Sequence, residues 1–581
     1  MLRSLGLFLV ATTFAAPAAS AQAAPESVEV PPEERIAAAK AIRLWVNGFA
    51  ARKFAASGTL LEAGEPGPAY CAVAREAGLL RDNDIARLTH LDVLQRLLFF
   101  AEANVTENMA DAVLKVAAVG LDRSLLDRQA LEVRELGHWT MMRIKDQGAW
   151  FLVLRAAAGE RIPVLEDLRP EDAPKKVELS PGPARRVAAL RMLGQRNLPV
   201  FRSTLEAAIT SSDPRVRLAA IEALPRKSRL PTIECVSRAM LRERHPIVSQ
   251  ALVQRLLRML QRPPKELADE YRRVIVRNAV GMLGRSGWRT DLDILDIVEA
   301  FPDKTAIPYL IRAMERQVRS PDKLVAAVNK QASPILNERA GMLLRAMTGA
   351  LVPYDDAAAW RGFWAREEPW IKVPEKLATQ KPAGTRAAFF GVPVTGSSIA
   401  FLTDTSGSMG KRPAKRGPIT GPKQQRSYKS RLHAAKYQLA LATQAMPRTS
   451  QYYVMTFADK ASTWTKQPLR ANHRSARKLS ELLGRLNAHG GTNLYAGLVA
   501  AFDLEERRFG GQLPKIDELF VLSDGKPTTG QVKDTETLLQ MVREANQYAK
   551  IRINTVFTGT GKGAELLRRL ADENGGVFVQ R

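Results

Sequence analysis

The chain has 581 residues, 45% of them hydrophobic and 25% charged, which excludes a single hydrophobic core and a disordered polymer and fits roughly two to four globular domains. An excess of 86 Lys and Arg over 60 Asp and Glu gives a formal charge of +26 and a pI near 10.2. Such a surface attracts anions of several kinds (nucleic acid, anionic lipid, acidic polysaccharide, acidic protein), and charge alone does not select among them.

Residues 1–23 read as a secretory signal peptide. Met1-Leu2-Arg3 is a short positive start, Leu5 to Ala19 is almost wholly apolar, and Ala19-Ser20-Ala21 and Ala21-Gln22-Ala23 are small-x-small cleavage sites. The apolar run is shorter than the ~20 residues that span a bilayer, and no later segment is long and apolar enough to do so. The expectation is an exported protein, periplasmic or secreted, with envelope association open, without a transmembrane segment after signal cleavage and with nucleic acid low among its partners. Cys71 and Cys235 are the only cysteines. They allow one long-range disulfide or two buried thiols, and no Cys/His cluster suggests zinc.

From 26 to 180 apolar residues recur at three- and four-residue spacing, as in LTHLDVLQRLLFFAEANVTENMADAVLKVAAVGL, which predicts helices throughout. Between 181 and 372 a repeat emerges. Pro183, Pro214 and Pro246 lie 31 and 32 residues apart, and each opens a helix of the same layout: Ala188, Ala219 and Ala251; Leu190, Ile221 and Val253; Leu193, Leu224 and Leu256. A short period with paired helices predicts a stacked helical solenoid. DPRVRLAAIEAL, NLPVFRSTLEAAI and AIPYLIRAM resemble the HEAT-repeat family, although the period is short for it. Trp360 and Trp364, four apart on one helix face, are expected to cap the last core, with Trp370 just beyond. Residues 373–388 are polar and proline-containing and read as a linker.

From 389 to 581 strands and helices alternate: SSIAFLTD, QYYVMTFAD, IDELFVLSD, INTVFTG and GVFVQ as strands, with amphipathic helices between them, including LYAGLVAAFDLEERRF. This order predicts an α/β doubly wound, mainly parallel sheet, Rossmann-like, whose ligands bind at the carboxyl ends of the strands. Asp404 and Asp524 end two strands, and HGGTNLYAGL presents Thr492 at a helix start. Alternation in Asp404-x-Ser406-x-Ser408 lets all three side chains aim at one point. Two carboxylates and three hydroxyls are five hard oxygens. They suit Mg²⁺, with Mn²⁺ or Ca²⁺ as substitutes.

This constellation resembles the von Willebrand factor type A domain, whose metal-ion-dependent adhesion site matches Asp404, Ser406, Ser408, Thr492 and Asp524 position for position. The resemblance covers roughly residues 389 to 581. It implies a non-enzymatic binding, adhesion or scaffold role, with Ser406, Ser408 and sometimes Thr492 touching the metal and Asp404 and Asp524 acting largely through water. The metal would then take an Asp or Glu from a partner protein. The whole order of parts also looks like exported bacterial proteins that join HEAT-like repeats to a type A domain.

After Met409 the chain departs from a compact type A domain. The stretch GKRPAKRGPITGPKQQRSYKSR carries Lys411, Arg412, Lys415, Arg416, Lys423, Arg426, Lys429 and Arg431 and no acid. It reads first as a solvated loop, and in a sharper reading as a basic arm in which Lys411, Arg412, Lys415 and Arg416 steer acidic ligands toward the metal. Two other functions compete. Ser406 or Ser408 with His489 and Asp524 supplies the side-chain types of a hydrolytic triad, though no Gly-x-Ser-x-Gly elbow surrounds either serine. The basic surface could also bind an anionic envelope polymer or lipid by charge alone.

Overall fold

A computed structural model of the protein describes residues 31–105, 107–121, 128–165, 176–225, 229–284, 287–316, 334–377, 387–412, 428–465, 467–559 and 563–581, except for residues 51–89. The signal segment, Cys71, most of the 373–388 linker, and Lys415 and Arg416 lie outside the described residues. Two compact units divide the rest. One holds the described residues up to Ala239 together with Glu505–Gly511, and the other holds those of Met240–Leu504 and Gln512–Arg581. The division therefore falls inside the repeat region and not at residues 373–388.

In the first unit, helices Pro32–Ala50, His90–Ala103, Glu107–Ala117, Arg128–Arg143 and Gln147–Ala158 follow the predicted apolar periodicity. Asp146 caps the last of these by accepting from Ala149 N at 2.6 Å, and Gly159 ends it at φ 84°. The expectation of helix through residue 180 is corrected here, because Ile162–Leu165 pairs antiparallel with Lys176–Leu179 as a two-stranded ribbon. IPVL and KVEL are too short to carry a helical stripe, and Ile162 and Val164 of the first are β-branched. Helices Pro183–Arg196, Arg202–Ala208 and Pro214–Ala223 follow, the first packed on the third. Gly194 permits that approach, since a Cβ there would stand 2.6 Å from Ala223 Cβ.

In the second unit, helices Pro246–Gln261, Trp288–Ala300 and Pro334–Thr348 pack in succession, and Ile307–Arg316 packs on both Pro334–Thr348 and Ala357–Glu367. Each of the three recurring prolines stands in the first turn of its helix, where its missing N–H costs nothing. All nine equivalent apolar positions named above are buried. Trp360 is wholly buried and Trp364 half-buried, whereas Trp370 is 79% exposed, so the tryptophans do not act as one cluster. Cys235, at the end of the first unit, is a free thiol.

The same unit contains a seven-stranded sheet. Its strands are β1 (Ser398–Asp404), β2 (Gln451–Phe457), β3 (Ala461–Thr463), β4 (Leu469–Arg470), β5 (Glu518–Ser523), β6 (Arg552–Phe557) and β7 (Phe578–Gln580), in the order β7-β6-β5-β1-β2-β3, with β4 also on β2. Five strands run parallel. β3 and β4, which sequence periodicity missed because they are three and two residues long, are antiparallel. Helices α1 (Arg431–Ala445), α2 (His473–Arg485), α3 (Leu494–Ala501), α4 (Thr535–Ala549) and α5 (Ala564–Asp572) make the crossovers. The helix predicted over 494–509 stops at Ala501, where the chain turns and Asp503 adopts φ 51°.

Every residue of β1 is buried, as a central parallel strand requires. Phe401 on β1 pairs with Phe520 on β5, and their rings stack at 5.3 Å, with Phe389 edge-on to both. From β1 the chain winds outward to β2 and later returns to β5 on the other side. The carboxyl ends of β1 and β5 are thus neighbours at the point where the winding reverses.

Candidate metal centre

β1 delivers Asp404 to the rim with its side chain shut off from solvent. Its Oδ1 accepts from Ser406 N at 2.8 Å and its Oδ2 from Ser523 Oγ at 2.6 Å. Burial pushes this carboxyl up to about 6; the hydrogen bonds from Ser523 and Ser406 oppose that shift and the nearby Asp524 charge adds to it. The 3₁₀ turn Gly407–Gly410 then carries the two serines, whose Oγ atoms lie 3.1 Å apart. Ser408 Oγ donates to Asp524 Oδ1 at 2.7 Å. Asp404, Ser406, Ser408 and Asp524 form one connected run of oxygens across the ends of β1 and β5.

Thr492 belongs to an adjoining loop. Gly407 N donates to Gly490 O at 3.0 Å, and His489 N donates to Thr405 O at 2.8 Å, so the Gly-Gly-Thr segment is laced to the serine turn through main chain. Gly490 holds φ +68°, and a Cβ on Gly491 would stand 2.4 Å from Thr529 Cγ2. Both glycines are required by that close passage. Gly491 N donates to Asp459 Oδ1 at 2.9 Å, and Thr492 N donates to Thr528 Oγ1 at 2.9 Å. Thr492 is buried and makes no hydrogen bond to the other four residues. Asn493 caps α3 by accepting from Ala496 N at 3.0 Å.

The donor set fits a hard divalent cation. Oxygens on adjacent corners of an octahedron with bonds of about 2.1 Å stand about 3 Å apart, close to the Ser406–Ser408 separation of 3.1 Å. Among the described residues no group of three His, Cys, Asp or Glu gathers, so an ion here would rest on two carboxylates, hydroxyls and water, which disfavours soft metals.

Three residues that matter at this site escaped the sequence reading. Ser523 holds Asp404, and its only signal was its place beside Asp524 in the Ser-Asp-Gly phrase. Asp459 holds the glycine loop from the end of β2. Arg431, counted with the basic loop, instead turns inward and pairs with Asp524 Oδ2; its side chain is 11% exposed and that of Asp524 wholly buried. The ends of the basic insertion meet there, because Arg431 N donates to Lys411 O at 2.9 Å. Lys411 and Arg412 are exposed at the rim. His489 is exposed as well. Its Nδ1 faces Asn487 O at 3.0 Å, and no hydrogen bond joins it to Ser406 or Ser408, so the triad's geometry is not assembled.

Residues 424–579 match the von Willebrand factor type A domain family, and this part of the chain is such a domain. The match includes Thr492 and Asp524 and begins after Asp404, Ser406 and Ser408. Inter alpha-trypsin inhibitor, heavy chain 4, of Mus musculus is 26% identical over 191 residues, which are 32% of this chain and 18% of that protein. The chain therefore spans under a fifth of that relative's length. Among solved structures, a von Willebrand factor type A protein from Catenulispora acidiphila is 23% identical with a TM-score of 0.23, over 32% of this chain and 38% of the other. An aerotolerance-related membrane protein from Bacteroides fragilis is 16% identical with a TM-score of 0.22, over 32% of this chain and 92% of the other. Among the described residues of the present chain, no helix is long and apolar enough to cross a membrane.

Proposed function

We propose that this protein is an exported, non-enzymatic binding or scaffold protein whose type A domain holds Mg²⁺, or Mn²⁺ or Ca²⁺ in its place, and captures an acidic side chain of a partner protein. The observation that carries this reading is the connected run Asp404, Ser406, Ser408 and Asp524 at the reversal point of the sheet. A type A domain and its relatives fit an adhesion or binding role. When bound, the cation would supply an open coordination position for a carboxylate oxygen.

The chain's own residues divide the work. Ser406 and Ser408 present hydroxyls, Thr492 adds a third from the neighbouring loop, and Asp404 and Asp524 provide negative charge from behind. Lys411 and Arg412, with Lys415 and Arg416 beyond them in sequence, raise the local concentration of acidic partners before contact. The HEAT-like repeats, stacked as a solenoid, offer a second protein-binding surface.

The deciding experiment captures partners from native exported and envelope fractions with wild type and Asp404→Ala, each in Mg²⁺ and in EDTA. Capture by wild type in Mg²⁺ alone is the expected result. Capture that persists in EDTA and in the variant would instead favour charge-driven binding of an anionic polymer or lipid, and turnover of an ester or phosphate substrate would favour a metal-dependent hydrolase.

A further inference from the structure

Two buried carboxylates share the rim, and among the described residues a single cationic side chain reaches them. Asp404 is held by hydroxyl and amide donors alone. Asp524 is held by Ser408 on one oxygen and by Arg431 on the other. The guanidinium offsets the cost of burying the Asp524 charge. Arg431 is fixed at the other end too, by its backbone bond to Lys411 O. Its grip on Asp524 is nevertheless incomplete. Only Nη1 is engaged, and Nε is buried without a hydrogen-bond partner. Arginine binds carboxylate most strongly through two parallel N–H donors, so this one-point pair is displaceable.

We propose that Arg431 is a built-in rival of the divalent ion: it neutralises Asp524 when the site holds no metal, and metal must displace or share that guanidinium to bind. The inference rests on the metal site proposed above. Arg431 thereby weakens cation affinity. If it stays nearby after the ion arrives, it also leaves the loaded rim with a net positive charge, because two carboxylates face a divalent ion and a guanidinium. A rim of that charge demands an anionic ligand, which gives the first residue of α1 a part in selecting what binds.

The test measures Mn²⁺ binding by titration calorimetry and thermal melting of the full chain for wild type, Arg431→Gln, Arg431→Lys and Asp524→Asn. Arg431→Gln is expected to bind Mn²⁺ about tenfold more tightly or better, since a like charge this close to the ion is worth at least that factor. Without metal the same variant melts lower than wild type, because Asp524 has lost its partner. Its rise on adding Mn²⁺ is correspondingly larger. Arg431→Lys keeps the charge and stays near wild type, which a purely structural role for the guanidinium would not give. Asp524→Asn loses the metal response. Binding by Arg431→Gln but not by wild type also supports the proposal. Equal or weaker binding by Arg431→Gln overturns it and leaves the metal site standing. Absence of binding in every form overturns both.

Discussion

Ser408 and Asp524 are 116 residues apart in the chain, and Ser408 Oγ donates to Asp524 Oδ1 at 2.7 Å. That bond closes the gap between the first and the fifth strand at the one place where the sheet's winding reverses. It gives the serine two tasks, one toward the buried carboxylate and one toward any ion.

Ser408→Ala separates these tasks. In EDTA the variant should lose about 1–3 kcal/mol, the cost of leaving a buried acceptor short of a donor. In Mn²⁺ the melting temperature of wild type should rise by mass action, and that of the variant should not. A full metal response in Ser408→Ala would remove this hydroxyl from the site.

Gly490→Ala changes no oxygen ligand, yet it should weaken metal binding. Its φ of +68° is unfavourable for alanine by roughly 1–2 kcal/mol, and the new Cβ would stand 2.2 Å from Asp459 Oδ2. Asp459 must then release the loop that carries Thr492. Calorimetry on this variant that matches wild type would show that the loop's path is irrelevant to the ion.

At the opposite edge of the sheet, Arg289 donates from Nε to Ala549 O at 2.6 Å and from Nη2 to Pro514 O at 2.6 Å and Ile516 O at 3.2 Å. Lys550 pairs with Asp293 at 2.6 Å, and Arg552 with Glu338 at 3.1 Å. Helices Trp288–Ala300 and Pro334–Thr348 thus grip the amino-terminal ends of β5 and β6. Arg289→Ala should cost on the order of 2 kcal/mol by stranding main-chain carbonyls, with Mn²⁺ affinity unchanged because the clamp lies a strand's length from the rim. A fragment beginning near residue 385 should melt below the intact chain for the same reason. Equal melting of fragment and chain would show the clamp to be energetically idle.

His138 sits buried in helix Arg128–Arg143, and burial, with Arg191 and Arg134 nearby, holds its imidazole down to about 3. The unfolded chain, with an ordinary value near 6.5, therefore takes up a proton that the folded form refuses. Stability is full above pH 6.5 and falls as pH drops toward 3, by at most about 1.4 kcal/mol per pH unit. Hydrogen exchange in this helix should quicken between pH 6.5 and 4.5 after correction for intrinsic rates, and His138→Gln should flatten the trend. Identical slopes in the two proteins would assign the acid sensitivity elsewhere.

Much of the type A domain was legible because its signals are local. Continuous apolar runs ending in Asp404 and Asp524 gave the buried parallel strands, and recurring prolines gave the helix starts at 183, 214 and 246. What stayed hidden depends on the approach of distant segments. Nothing in SYKSRLHAAK distinguishes Arg431, which turns inward, from Lys429 two residues before it. β3 and β4 are too short to show a period of two, and Arg289 could be seen as a clamp only once Ala549 and Ile516 were beside it. The ribbon at 162–179 was missed because two four-residue strands carry too little pattern to overrule the helical sequence before them.

The seven residues Glu505–Gly511 belong to the compact unit otherwise built from the amino-terminal part of the chain, where the Arg191 guanidinium lies 4.3 Å from the Phe509 ring centre. On the ribosome, folding generally proceeds from the amino end as segments emerge. Here the first unit cannot be completed until more than five hundred residues have been made, after β1, β2 and α3 of the second unit and before β5. Arg191 must wait for the Phe509 ring while β1, β2 and α3 are made. The central pairing of β1 with β5 comes only after that wait ends, so the rim that joins Ser408 to Asp524 is among the last parts of the molecule to exist.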